Sequence, residues 1–544
     1  MSLSINKYLS VTLVIVFVTA LISCKTNNFS NKKIFRYNES AGIATLDPAF
    51  AKNQAIMWPV HQLYNTLVEV DDNMNIKPSL AKSWDFSTDG RSIIFHLRQD
   101  VFFHDDPVFN NGKGRKLIAN DIAYSLFRII DEKIASPGAW IFNDKVDSIN
   151  PFVAVNDSTF KIVLTAPYPP ILGVLSMSYC SVLAKEAVEY YASDFRRHPV
   201  GTGPFSFVAW DEGQALVFKR NNHYFEKDVN GTSLPYLDGI KISFLDSKAS
   251  EFMEFRQQHL DFINDIEPSF KDELLSKSGD LKKEWMGKIV LQKHPYLNTE
   301  YLGFIYDSTN SLLKNSPWKN KKIRQAVNYA IDRNKLLLYL RNSIGTAATS
   351  GFIPAGMPSF NAEKVKGYDY NPEKSKQLLK QAGFDDLHPL PVLKLYTVPN
   401  YVSIGSFLVN ELNQAGIPAI LETVQKSLLL EQMSKSQVLF FRGSWIADFP
   451  DASNYLSVFY SKNPAPPNYT RYKNALYDSM FEASFQISND SIRYRVYQSM
   501  DRMILEDAPI VPLWYDMVLQ FLQPGIKNFK TNAMNMLELR NVKK

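Results

Sequence analysis

Asn75-Ile76-Lys77-Pro78-Ser79-Leu80-Ala81-Lys82-Ser83-Trp84, then Asp89-Gly90, then Ile93-Ile94-Phe95-His96-Leu97-Arg98-Gln99-Asp100-Val101-Phe102-Phe103-His104-Asp105, is the stretch on which the reading of the whole chain turns. Asp89-Gly90 ahead of alternating Ile93, Phe95 and Leu97 predicts a hairpin with one apolar face. Upstream, Ile34 to Tyr37 reads as a strand, Ala41 to Phe50 as a loop, and Trp58 to Leu67 as a helix. Downstream, Asn120 is the expected cap of a helix carrying Ile122, Leu126, Ile129 and Ile130 at helical spacing. Phe160, Ile162 and Leu164 then alternate as a strand stopped by Pro167, Pro169 and Pro170.

With 544 residues the chain exceeds a single core, so two or three packed units are expected. Its 60 basic and 55 acidic residues leave a net charge of +5, too small for this size to imply a polyanionic partner, and nucleic acid is disfavoured. Residues 1–23 have the pattern of a signal peptide: Lys7, then an apolar run from Val11 to Ala20 about half the length a bilayer span requires. Leu21-Ile22-Ser23-Cys24 resembles a bacterial lipobox, which makes Cys24 the expected acylated first residue of the mature chain and residues 24–33 a tether. The other cysteine, Cys180, sits in an apolar neighbourhood and is expected to behave as a small buried hydrophobe.

A second informative stretch runs Arg442-Gly443-Ser444-Trp445-Ile446-Ala447-Asp448-Phe449-Pro450-Asp451-Ala452-Ser453-Asn454-Tyr455-Leu456, after the strand-like Val438 to Phe441. Broken by Gly443 and Pro450, it reads as a loop presenting side chains. Asp448 among Trp445, Phe449 and Tyr455 is partly desolvated, hence a strong acceptor for a ligand cation. Capping of a following helix or pairing with Arg442 are the alternatives.

The 75–105 stretch resembles the signature of the periplasmic oligopeptide-binding protein family, the extracellular solute-binding proteins of peptide and nickel importers. Further segments agree in order: Pro199-Val200-Gly201-Thr202-Gly203-Pro204-Phe205, Leu234 to Ile240 after Asn230-Gly231, a helix from Ile323 to Arg333, Trp445 to Phe449, and Ala508 to Tyr515. Much of this reads as structure. Gly201 and Gly203 suit a tight crossing, Gly112 to Lys116 is a solvated basic loop without P-loop spacing, and Ile323, Val327, Ala330 and Ile331 form a core stripe.

The resemblance implies an α/β, two-lobed periplasmic binding protein fold with a hinge, type II-like with an extra domain. Domain I is then discontinuous (about 34–67, 199–293 and 513–544), domain II is inserted as 68–198, and domain III, the second lobe, is 294–512. It also implies a lipid-anchored binding protein that delivers short peptides to an ABC permease of the inner membrane, acting in the periplasm as a monomer without cofactor or metal. In the peptide binders an aspartate at the place of Asp448 pairs with the ligand's α-ammonium, and in some members an arginine at the place of Arg442 takes the carboxylate. Ala51, Lys52, Asn53 and Gln54 correspond to the segment that runs along the ligand backbone as an added strand, with Trp445, Ile446 and Tyr515 as further ligand contacts. Lys52 departs from the carboxylate some members carry there, and a cation at that place would repel an ammonium.

An oligosaccharide or a nickel chelate on the same fold is the alternative, with Trp445, Tyr455 and Trp514 as platforms for sugar rings. An enzyme is not expected: no Gly-x-Ser-x-Gly, Ser-x-x-Lys or His-Glu-x-x-His stands in a supporting context, and the eight histidines are scattered. His96 and His104 are the residues to check for a metal.

Overall fold

A computed structural model describes residues 32–544 apart from residue 267. The expected signal peptide, Cys24 and most of the tether lie outside the described residues. In chain order the strands are β1 (Ile34–Asn38), β2 (Val68–Val70), β3 (Ile76–Pro78), β4 (Ala81–Phe86), β5 (Ser92–Leu97), β6 (Phe152–Asn156), β7 (Thr159–Val163), β8 (Phe205–Asp211), β9 (Ala215–Arg220), β10 (Gly239–Ser243), β11 (Phe262–Asn264), β12 (Val290–Phe304), β13 (Thr346–Ala347), β14 (Leu393–Thr397), β15 (Ala419–Thr423), β16 (Phe440–Ile446) and β17 (Ile510–Leu522). A mixed sheet runs β15-β14-β16-β12-β17-β11-β1-β10-β9-β8, with β13 beside β17.

The 81–97 hairpin forms where it is expected. Gly90 takes φ +68° at its turn, and Ile93, Phe95 and Leu97 are buried against β7 in a four-stranded sheet of order β4-β5-β7-β6. Gly201 and Gly203 press on the end of the helix Gln54–Leu63, where a Cβ on Gly203 would lie 2.4 Å from the Leu63 carbonyl carbon. No larger residue fits that crossing.

Several local expectations are corrected. The first helix ends at Leu63, because Tyr64 is already extended and the Asn65 side chain contacts Tyr224 and Thr202. Asn120 lies inside its helix, Ala119–Ile130; Asp121 does the capping by accepting from the Ile118 N–H at 2.9 Å. The 323–333 helix stops at Tyr329, and Asp332 caps a second one, Arg333–Leu340. Within the basic loop Arg115 is held by Asp121 and Glu186.

Two large cores divide the molecule into two lobes. The first gathers Phe35, Ile93, Phe160, Phe205 and Ile240 with the chain end, Phe529, Leu537, Leu539 and Val542. The second gathers Leu302, Val327, Leu395, Phe440, Ile504 and Val511. The antiparallel pair β12–β17 passes from one lobe to the other: Val290 to Pro295 pair with Met517 to Leu522, Thr299 to Gly303 with Ile510 to Tyr515, and the register slips between Pro295 and Thr299. Pairing is irregular at this crossing, where Pro295 has no N–H to donate.

Candidate functional site

β16 pairs with β12 and ends at Ile446, whose partner Asn298 lies in the irregular segment. Asp448 is therefore two residues beyond a strand that stops at this crossing between the lobes. The expected loop over 442–456 is corrected in part: Arg442 to Ile446 belong to β16, because Gly443 lets the Tyr301 ring pack on the strand. The chain then turns through Pro450, and Asp451 accepts from the Ser453 N–H at the start of the short helix Ser453–Leu456. Phe449 joins the core of the opposite lobe, and Pro450 packs on Gly173. Asp448 thus sits on the seam between lobes.

Asn454 orients it. The amide of this buried side chain donates to Asp448 Oδ2 at 3.0 Å, while its oxygen accepts from Trp445 Nε1 at 2.9 Å and from the Asp448 N–H at 3.3 Å. Among the described residues no cation pairs with Asp448. Its surface opens to the cleft, yet the crowding of protein around it pushes its carboxyl above the ordinary range, with the Asn454 hydrogen bond opposing the shift. Neither alternative reading applies: Arg442 pairs elsewhere, and Asp451 serves the helix. Asp448 lines two cavities, one of about 760 Å³ toward Met57, His61 and Ser176, and one of about 930 Å³ toward Trp140, Lys145, Tyr168 and Phe485. Trp445 is half-buried on the wall of the larger one, whereas Ile446, the next residue, is exposed and lines neither cavity.

The other expected ligand residues stand differently. Arg442 donates from Nε to Glu300 at 2.9 Å and lies 3.6 Å over the Tyr401 ring, so its charge is already matched by a buried carboxylate. Tyr515 is buried; its hydroxyl donates to the Gly351 carbonyl at 2.9 Å and accepts from the Ser350 N–H at 3.2 Å. Ala51 to Gln54 form no extended edge. Asp47 and Pro48 wind the chain into a 3-10 turn, the Ala51 and Lys52 N–H groups bond back to Pro48 and Phe50, and Asn53 caps the next helix. Lys52 is exposed and lines neither cavity. Tyr455 and Trp514 are buried, which leaves Trp445 of the three sugar platforms. His96 pairs with Asp85, and His104 Nε2 donates to the Gly203 carbonyl at 2.9 Å, with burial lowering its pKa to about 4. No metal-binding group of three or more His, Cys, Asp or Glu side chains occurs among the described residues. Cys180 is buried and free, its thiol pKa raised by burial.

The sequence reading missed Asn454 as the residue that orients Asp448. Its only signal is a place inside the same short stretch.

The family model described as bacterial extracellular solute-binding proteins, family 5 Middle, matches residues 75–467. The chain belongs to this family. Similar relatives include the heme-binding protein A of Haemophilus influenzae, 26% identical over 86% of this chain and 84% of that protein, and the dipeptide-binding protein of Escherichia coli, 24% identical over 88% of each. A solved periplasmic murein tripeptide-binding protein in its unliganded open form shares the fold, with TM-score 0.80 at 21% identity over 94% of this chain and 98% of that one. A member of family 5 is the solute-binding component of an ABC importer; it acts outside the cytoplasm and binds rather than transforms its solute.

Proposed function

We propose that this family 5 protein captures short peptides with a free α-amine, their ammonium on Asp448 and their body against Trp445 and Ile446, and delivers them to an ABC permease of the inner membrane. The observation that carries the reading is Asp448 itself: a crowded carboxylate on the interlobe seam, oriented by a neutral amide and lacking any cation among the described residues. A carboxylate so placed gains most from a ligand that brings its own positive charge. A sugar brings none, and two of the three expected sugar platforms are buried. The dipeptide-binding relative supports the same reading.

Isothermal titration with di- and tripeptides, beside mass spectrometry of whatever solute co-purifies, tests it. Micromolar or tighter binding of free-amine peptides is expected, and binding of none of them would remove the peptide assignment. The proposed domains are those given by the resemblance, I (34–67, 199–293, 513–544), II (68–198) and III (294–512). Peptide is expected to draw the lobes together, because a site on the seam makes contacts to both only when closed. Small-angle scattering should then show a smaller radius of gyration at saturation; an unchanged radius would rule out closure.

The mature protein is proposed to be a monomer held to the cell envelope by acyl chains on Cys24, each buried methylene contributing about 0.8 kcal/mol. Cys24→Ser is expected to move the protein from the membrane to the soluble fraction. Retention on membranes after a salt wash would show that the cysteine is not the anchor.

A further inference from the structure

Asp448 is a carboxylate without a cation. Across the larger cavity stands a cation without a carboxylate. Lys145 follows the 3-10 turn Ala139–Ile141 in the first lobe. Its Nζ donates to the Trp140 carbonyl at 3.0 Å and lies 5.7 Å from the Tyr168 ring centre. The neighbouring Asp144 favours its charge at a distance, yet no carboxylate among the described residues comes within ion-pair range of it. Half-buried, the ammonium is disfavoured by desolvation, which lowers its pKa.

The cavity of about 930 Å³ is bounded by Asp448 on the second lobe and Lys145 on the first. Apolar rings line the space, with Tyr168 of the first lobe 5.3 Å from Phe485 of the second. Asp144 also lines this cavity beside Lys145 but forms no ion pair with it, so an aromatic cavity with the Asp448 carboxylate on one lobe and the Lys145 ammonium on the other suits a ligand with an ammonium at one end and an anion at the other. Arg442, the other candidate for a carboxylate, is already matched by Glu300.

We propose that Lys145 is the anchor for the ligand's α-carboxylate, so that the cavity selects short zwitterionic peptides with both termini free. This rests on the peptide reading above and adds the second end of the ligand. Tying both ends to side chains on opposite lobes also bounds ligand length, and it makes the peptide itself the bridge that holds the lobes together.

The test is titration of the mature protein with Ala-Phe and Leu-Leu, their C-terminal amides and their N-acetyl forms. Wild type is expected to bind the free acids at least about tenfold more tightly than the amides. Lys145→Met keeps the apolar stem and should abolish that preference, weakening the acids by about ten- to a hundredfold while leaving the amides unchanged and the discrimination against N-acetyl forms intact. Lys145→Arg should retain a preference for the acids. Equal weakening of acids and amides by Lys145→Met, or no weakening of either, overturns the role of Lys145 and leaves the peptide reading standing. The same holds if wild type binds the dipeptides without discriminating acid from amide. If wild type binds no peptide of any form, the peptide reading itself falls, and this inference with it.

Discussion

Asp448→Asn is expected to weaken free-amine peptides by roughly two to three and a half decades while leaving N-acetylated peptides, already poor ligands, nearly unchanged. Removing one partner of a buried ion pair costs about 3 to 5 kcal/mol, because the other charge remains desolvated and unmatched. Asp448 keeps contact with solvent until the lobes close, so the full loss belongs to peptides that drive closure. Asparagine preserves the shape and can still meet Asn454, which separates loss of charge from general damage. Calorimetric titration of both proteins with both peptide forms reads the difference; equal losses for the two forms would make Asp448 a structural residue. The pH dependence has a defined sign. Burial raises the pKa of Asp448, and only the ionised form pairs with an ammonium, so affinity should fall as pH drops through that raised value, from a higher pH than an ordinary aspartate would give.

The largest effect on stability is expected at Arg540. Its buried guanidinium meets Glu69 at 2.7 Å, Glu226 at 2.8 Å and Glu538 at 2.7 Å, with Lys77 on Glu69 and His61 on Glu538 outside that cluster. Arg540→Met would leave three carboxylates gathered around an apolar stem, at a cost of about 3 to 5 kcal/mol or more. A fall in the thermal midpoint at neutral pH measures it, and a midpoint within a degree of wild type would contradict this account. Arg540 holds Glu69 and Glu538 below the ordinary carboxylate range, whereas burial leaves Glu226 above it. The stability that Glu69 and Glu538 contribute is present above the unfolded glutamate value of about 4.3 and is lost as pH falls through their lower folded values. Glu226 opposes this in part. The gap between wild type and variant should therefore narrow in acid.

Order along the chain was legible where local chemistry decides it. Asp89-Gly90 with Ile93, Phe95 and Leu97 specifies the hairpin by turn geometry and side-chain period alone, and the glycines at 201 and 203 signal a close crossing. Caps were less legible: Asn120 has the right side chain, but Asp121 one residue later reaches the free N–H of Ile118. The site was legible at Asp448, because a carboxylate among aromatics is costly anywhere. Its surroundings were not: Asn454 lies only six residues away with nothing in its type to mark it, and Glu300 acquires meaning only from distant pairing. Arg442 shows the limit well: nothing near it in sequence reveals that β12 sets Glu300 within reach on the neighbouring strand. Tyr515 likewise sits at the right place along the chain but faces Ser350 and Gly351 inside the second lobe.

The position of β17 has a consequence for how the molecule is made. This strand lies between β12 and β11 in the large sheet, and the residues after it supply Phe529, Leu537, Leu539 and Val542 to the core that also holds Phe35 near the start of the chain. Those residues follow all of the strands in chain order. Without residues 510–544, β12 lacks its longest partner and the first lobe has an open core. Each lobe therefore closes only through contacts that span hundreds of residues of sequence, whereas the β4-β5-β7-β6 sheet is built from strands within residues 81–163 alone.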